Sequence, residues 1–511
     1  MGERVNTPDR LQAGRLKIAD LLAAHGEWFC TVSGGVSQAL GKSELDIAVA
    51  HGRLILTCWT EKGSRSWKIF AWEWTGEKLT LEASGRMGAE RPLIELVPRA
   101  SASAIALTVK AARQRRCDQL GQVACSIQLG AKLERSALSP GARRGQPGRY
   151  ARILLRQRHQ RIAVTGDITS SKPSDADAFL SSALIWFKRT SERAQPPYIQ
   201  QLWLVMEGDL VRPTIQMIVL LRPGLRDAIA VYEVNQQLTE LKRVDIPTRE
   251  DLWTRRLARF PPLPTVAANE VTKRLTALAP RAIDVVNARY GETLRYFGLP
   301  FARVRKVMET ERVWFGIEGM RRRMLEEKTE NEWTTLLIDL MEHRSASASD
   351  HHHALYRNAA EAWLESLLRR DITRLDPGLI IAPLHAQFRT SRGGAVGVRP
   401  VDLLALRRDG RLAVIELKVS EAREHVLQSA DYWQRVEAHR RRGHISRAKL
   451  FGNRRIRDEP PLIYLVAPTL RVHPAFKALA HSIAPDIEMY RFDINEDWRA
   501  GVRVMRRMRV N

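Results

Sequence analysis

Apolar and polar positions follow different rules in successive stretches of this chain, and each rule predicts a different kind of region. After an opening helix, "LDIAVAHGRLILTCW" (Leu45–Trp59) and "SRSWKIFAWEWTGEKLTLEAS" (Ser64–Ser84) alternate with period two between Gly-containing turns, the signature of strands. Ser101 to about Leu120 predicts a helix. "YARILLRQRHQRIAVTG" (Tyr150–Gly166) reads as helix into strand, and "DADAFLSSALIWFKRTSE" (Asp175–Glu192) as helix. "QQLWLVMEG" and "DAIAVYEV" read as buried strands around a helical stretch, Pro213 to Leu221. Alternation of this kind predicts a parallel α/β sheet. Beyond a Pro-rich linker at 258–266, "YGETLRYFGLPFARVRKVMETERVWFGIEG" and "NEWTTLLIDLMEH" space their apolar residues as helices do, to about Arg344.

Four regions follow: a β-rich α+β region at 1–140, an α/β region at 150–258, a helical connector at 265–345 and a C-terminal α/β module at 350–511. "LSPGARRGQPGR" (Leu138–Arg149) separates the first two by its Pro, Gly and Arg content. Within the module, "LYRNAAEAWLESLLRR" (Leu355–Arg370) predicts one amphipathic helix with Leu355, Ala359, Trp363 and Leu367 on one face. On that wheel Glu361 falls at the margin of the apolar stripe and Glu365 further toward solvent. Ser349 or Asp350 is the expected N-cap of this segment. "LIIAPLHAQF" (Leu379–Phe388) predicts a strand and "RTSRGGAVGVRP" a Gly-rich loop. "VDLLALRR", Asp409-Gly410 and "RLAVIELKV" predict a hairpin. The helix "SEAREHVLQSADYWQRVEAH" places Gln428 and Tyr432 one turn apart. "PLIYLVAPTL" completes the sheet, "HPAFKALAHSI" reads as a helix and "IEMYRFDI" as a late edge strand.

Charge adds a partner to this picture. The 511 residues carry 82 Lys and Arg against 57 Asp and Glu, a net charge of +25. Such a field attracts polyanions, nucleic acid first, although an Arg-rich genome would produce the same excess. The excess is spread over short clusters. The strongest, "AHRRRGHISRAKLFGNRRIRDE" (Ala438–Glu459), is expected to be a DNA-contacting loop through Arg440, Arg441 and Arg442. Five of the 13 Trp residues (Trp28, Trp59, Trp67, Trp72, Trp74) fall in the first region, as a core face or as a stacking surface for bases. The cysteines, Cys30, Cys58, Cys117 and Cys125, have neither disulfide nor zinc spacing. His351, His352 and His353 are consecutive, a poor arrangement for one ion. No run of about 18 apolar residues exists and no signal peptide is apparent, so the cytoplasm is expected and a membrane partner is not.

Candidate chemistry lies in the hairpin. Asp402 sits near the start of its first strand; Glu416 and Lys418, two apart, share a face near the end of the second. In an antiparallel hairpin these positions meet. Two carboxylates at one point repel unless a proton or cation lies between them, and a hard divalent ion suits oxygen ligands.

The set Pro400-Val401-Asp402, Glu416-Leu417-Lys418, Gln428 and Tyr432 resembles the PD-(D/E)XK nuclease superfamily. It is similar both to that superfamily's RecB-like branch and to the C-terminal module of mismatch-type endonucleases. The resemblance covers Leu355 to the C-terminus. It implies a restriction-endonuclease-like α-β-β-β-α-β core. It implies Asp402, Glu416 and the Leu417 carbonyl as ligands of Mg²⁺ (or Mn²⁺), Glu361 at a second ion or its water shell, and Lys418 positioning the attacking water. Gln428 would support the site, and Tyr432 would sit near the nucleic acid. The expected function is a metal-dependent nuclease acting on DNA; an RNA-directed enzyme is a further alternative, since charge does not separate the two. The alternative is a non-catalytic nucleic-acid-binding protein or scaffold keeping a degenerate nuclease core.

Overall fold

The structure, a computed structural model of the chain, describes residues 3–4, 8–33, 38–60, 63–84, 91–141, 147–169, 175–254, 269–288, 291–307, 310–318, 321–388 and 400–511. The linker at 258–266, residues 142–146 of the first linker and most of the Gly-rich loop (389–399) lie outside them. The chain is mixed α/β and divides into two compact units, Met1–Lys172 with Val234–Leu241, and Pro173–Glu233 with Lys242–Asn511.

In the first unit, helix Pro8–Ala24 packs on an antiparallel sheet whose central strands are Leu93–Pro98, Leu79–Ser84, Gly63–Trp74 and Arg53–Thr60. Period-two alternation buries Leu54, Leu56, Leu79 and Leu81 on the helix side. Trp28 and Trp72 belong to this core, Trp67 and Trp74 pack on its margin, and Trp59 is 44% exposed. Helix Ala102–Ile127, capped by Ser101, precedes three antiparallel strands, Lys132–Pro140, Pro147–Gln157 and Gln160–Asp167. The expected helix at Tyr150 is therefore a strand. Ala151, Ile153 and Leu155 are buried at every second position, and Arg158, at φ 46°, turns the hairpin.

In the second unit, strands Ile199–Met206 and Ile229–Val234 are parallel, as expected, with helices Ala176–Arg193 and Gly208–Ile218 beside them. The expected helical connector is mostly β. Five antiparallel strands span Ile283–Ala288, Gly291–Tyr296, Leu299–Val307, Thr310–Phe315 and Arg323–Met324. Leu294 and Tyr296 on one strand, and Ala302 and Val304 on the next, are buried at alternate positions, a period that outweighs the helical spacing. Phe297 and Gly298, both at positive φ (41° and 78°), make a two-residue hairpin turn. Helix Glu330–His343 is present as expected.

The C-terminal sheet has the order β1–β2–β3–β4–β5–β6: His385–Phe388, Val401–Leu406, Leu412–Leu417, Leu462–Pro468, Met489–Ile494 and Val504–Arg509. β1–β2–β3 are antiparallel, β3–β4–β5 parallel, and β6 antiparallel to β5. "IEMYRFDI" is thus not the edge; β6 covers it. Of the predicted 379–388 strand, His385–Phe388 forms β1, and Leu379 and Ile380 make only an isolated bridge to the end of β2.

Helices α1 (Ala354–Arg357) and α2 (Ala360–Arg370) replace the single helix expected there, because Ala359 adopts a left-handed conformation (φ 49°). The N-cap of α1 is His353, whose Nδ1 accepts from Leu355 N, and not Ser349 or Asp350. α2 packs on one sheet face through Trp363, Leu364 and Leu368 against Leu403, Ile415, Leu417 and Tyr464. α3 (His425–Arg441) covers the other, with Tyr432 and Val436 against Leu404, Leu406 and Val414. α4 (Phe476–Ser482) adjoins α3.

Candidate functional site

The site forms where β2 and β3 part. Their ladder ends at Leu403–Ile415, so the next facing pair, Asp402 and Glu416, is not bonded through the backbone. Instead Leu417 N–H donates to Asp402 Oδ2 at 3.0 Å. The next amide, Lys418 N–H, donates to Val466 O of β4 at 2.9 Å. Backbone groups alternate in direction along a strand, so the Leu417 carbonyl faces the same side as its N–H, toward Asp402. Leu412, Val414, Glu416 and Lys418 share the pleat facing α3. Lys418 Nζ donates to Glu416 Oε1 at 2.8 Å and lies 3.8 Å from Glu361 Oε2. The structure thus brings together Asp402, Glu416, Leu417, Lys418 and Glu361.

Glu416 is fully buried, and its Oε2 has no hydrogen-bond donor among the described residues. Burial pushes its carboxyl well above the usual range, and the Asp402 charge beside it pushes further. Burial also raises Asp402, against the stabilising Leu417 N–H and the Lys418 charge. Two carboxyls so placed meet only across a shared proton or a cation. Burial alone would lower Lys418, yet the charges of Glu416 and Glu361 raise it, so it stays a cation at neutral pH. Among the described residues no three His, Cys, Asp or Glu side chains stand together as a metal-holding group. The oxygens suited to a hard cation here are two carboxylates and one backbone carbonyl, with Glu416 Oε2 left open.

Of the two glutamates of α2, Glu361 is half-buried as expected, and Glu365, expected toward solvent, is buried. Glu361 is 45% exposed on its side chain and Glu365 only 3%. The left-handed break at Ala359 resets the helix phase, so a wheel drawn from Leu355 misplaces Glu365. Glu365 Oε2 accepts from Gln387 Nε2 at 2.6 Å, and Oε1 from Arg295 at 3.4 Å. Gln387 Nε2 is also 3.4 Å from Asp402 Oδ1, so it bridges the two carboxylates from a left-handed position (φ 49°).

Sequence reasoning missed Gln387, Glu365 and His425. His425 is buried at the start of α3 with Nε2 3.3 Å from the Glu416 carbonyl, and burial pushes it down to about 3, so it is neutral and donates. Only Glu365 left a signal, its position one turn beyond Glu361.

Gln428 Nε2 donates to Tyr432 Oη at 2.7 Å, and Gln428 Oε1 is buried without a donor. Tyr432 is 2% exposed within the α3 core, so it cannot stack on a base. The basic loop also differs from expectation. α3 runs through Arg441, and a short helix, His444–Arg447, follows. Arg440, with an 8% exposed side chain, is held by Glu437 and Asp458; Arg441 pairs with Glu437, and Arg442 Nη2 donates to Trp253 O. Buried Glu437 draws Arg440 inward, so Arg440 holds the fold and is not a free phosphate grip; Arg441 keeps a 48% exposed side chain while pairing with the same carboxylate. No helix among the described residues is long and apolar enough to cross a membrane. No family model matches the chain, and no curated protein matches it.

Proposed function

We propose that the C-terminal sheet carries a divalent-metal-dependent phosphodiesterase site and that the protein is a nuclease acting on DNA. The observation that carries this reading is Glu416 Oε2, buried and without a donor beside Asp402, with Lys418 Nζ on the same carboxyl. The order α2–β1–β2–β3–α3–β4 is the order implied by a restriction-endonuclease-like core, which supports it. Asp402, Glu416 and the Leu417 carbonyl would hold Mg²⁺ or Mn²⁺, with Glu361 reaching its water shell. Such an ion supplies a Lewis acid and a bound water of lowered pKa. Lys418 stays protonated and presents N–H donors to the attacking water or a phosphate oxygen. Gln387 and Leu417 N–H hold the two oxygens of Asp402 in orientation.

One observation favours a second reading, a non-catalytic nucleic-acid-binding core: Lys418 is already satisfied by Glu416 and Glu361. Labelled single-stranded, duplex and branched DNA and RNA, incubated with Mg²⁺, Mn²⁺ or chelator, separate the two. Cleavage is expected only with metal, and should fall at least about a hundredfold in Asp402→Asn and Lys418→Ala. Equal cleavage by wild type and Lys418→Ala would overturn the proposal.

A further inference from the structure

A cavity of about 470 Å³ opens between α4 and the edge strand β6, lined by Phe476, Lys477, Arg491, Arg506, Met508 and Arg509 among others. Four of these six side chains are cations and no lining side chain is acidic, while buried Asp493 behind the lining compensates Arg491. Two of the cations are fixed. Arg491 lies over the Phe476 ring and gives its Nε–H to Asp493 Oδ1 at 2.5 Å; Arg509 bonds Pro485 O and Asn511 O. Lys477 and Arg506 are exposed, and neither is paired with a carboxylate among the described residues. Phe476 and Met508 add an apolar surface that a sugar or base can cover. A partly preorganised pair of guanidinium groups, two open cations and an apolar floor match a phosphate with its attached nucleoside.

The cavity also lies on the same sheet face as the carboxylates. Glu416 pairs in register with Leu465, Leu465 with Arg491, and Arg491 with Met508, so all four side chains share one face. Strands stand about 4.8 Å apart, which puts Arg491 about 10 Å and Met508 about 14 Å from Glu416. At an axial rise of about 3.4 Å per nucleotide, this separation is three to four nucleotides. We infer that this cavity is a phosphate-binding site, taking a backbone phosphate of a polynucleotide or the phosphates of a free nucleotide. The site stands without the catalytic reading; only the nucleotide spacing rests on it.

The test is equilibrium binding of fluorescently labelled 20-nucleotide single strands and duplexes to the full chain in EDTA, with ATP and inorganic phosphate as competitors. The paired substitution Lys477→Glu and Arg506→Glu is compared with Lys132→Glu and Arg135→Glu, an equal charge change on exposed residues of the first unit. The first pair should weaken oligonucleotide binding at least about tenfold and lower the salt slope by about two, while the second changes affinity less than about threefold. Displacement by millimolar ATP, lost in the first pair, identifies the free nucleotide as the source; no displacement identifies the polynucleotide. Equal weakening by both pairs, or none by the first with its melting curve unchanged, overturns the site. Binding in EDTA that the first pair weakens and the second does not, with no cleavage in metal, upholds this site and refutes only the catalytic proposal.

Discussion

Replacing Arg344 by Met should loosen the framework that carries α2. The Arg344 side chain is fully buried and donates to five backbone carbonyls, those of Tyr296, Phe297, Leu355, Asn358 and Ala359. Its guanidinium lies 4.8 Å from the Trp363 ring centre. It joins the Phe297-Gly298 turn to the break between α1 and α2. Burial pushes it down to about 9, still a cation at neutral pH. Five acceptors at about 1 kcal/mol net each give about 5 kcal/mol. Met no longer incurs the desolvation of a guanidinium, which offsets part of this and leaves about 3 kcal/mol. That is a factor of about a hundred in local opening. Hydrogen exchange by mass spectrometry reads it directly: peptides over 291–305 and 354–370 should lose about a hundredfold protection, and those of the first unit none. Arg344→Lys, with three donors, should fall between. Protection unchanged within threefold in Arg344→Met would refute the clamp.

Glu416→Gln removes a carboxyl held up by burial and by Asp402, so cleavage should vanish while the thermal midpoint holds or rises. A folded carboxyl raised above its unfolded value binds its proton more tightly in the native state. Its contribution is therefore present at low pH and fades as pH rises above the ordinary carboxylate range; the Gln variant should flatten this decline, measured by melting from pH 4 to 9 without metal. Gln387→Ala should raise the metal concentration needed for half-maximal cleavage severalfold with little change in melting, because Asp402 loses its bridge to Glu365; an unchanged metal titration rules this out. Arg440→Ala should cost about 3 kcal/mol in denaturant unfolding, by leaving buried Glu437 with Arg441 alone. A shift in nucleic-acid affinity without that loss would restore the contact role.

Much of the site was legible because its signals were short-ranged. Asp409-Gly410 fixed a hairpin, and a hairpin fixes which residues face each other; Asp402, Glu416 and Lys418 follow from that register. Their helical neighbours depended on phase, and phase does not survive a break. One left-handed residue, Ala359, moved Glu365 inward and left Glu361 half-buried beside Lys418. Gln387 was not legible, since its position depends on pairing across the Gly-rich segment. The strands at 283–324 were missed because their aromatic and branched residues also fit helical spacing; the turn at Phe297-Gly298 was the local clue. Arg440 was misread because charge counts ignore partners, and Glu437 lies three residues away.

β6 closes the C-terminal sheet with Val504-Met505-Arg506-Arg507-Met508-Arg509, and its outer backbone edge has no neighbouring strand among the described residues. An open edge of this kind is a template for another copy of the same chain. A second β6 laid alongside would bring three arginines against three arginines, and like charges facing across a ladder oppose pairing. The arginine-rich rim therefore guards the protein against self-association by strand addition, and added salt weakens that guard.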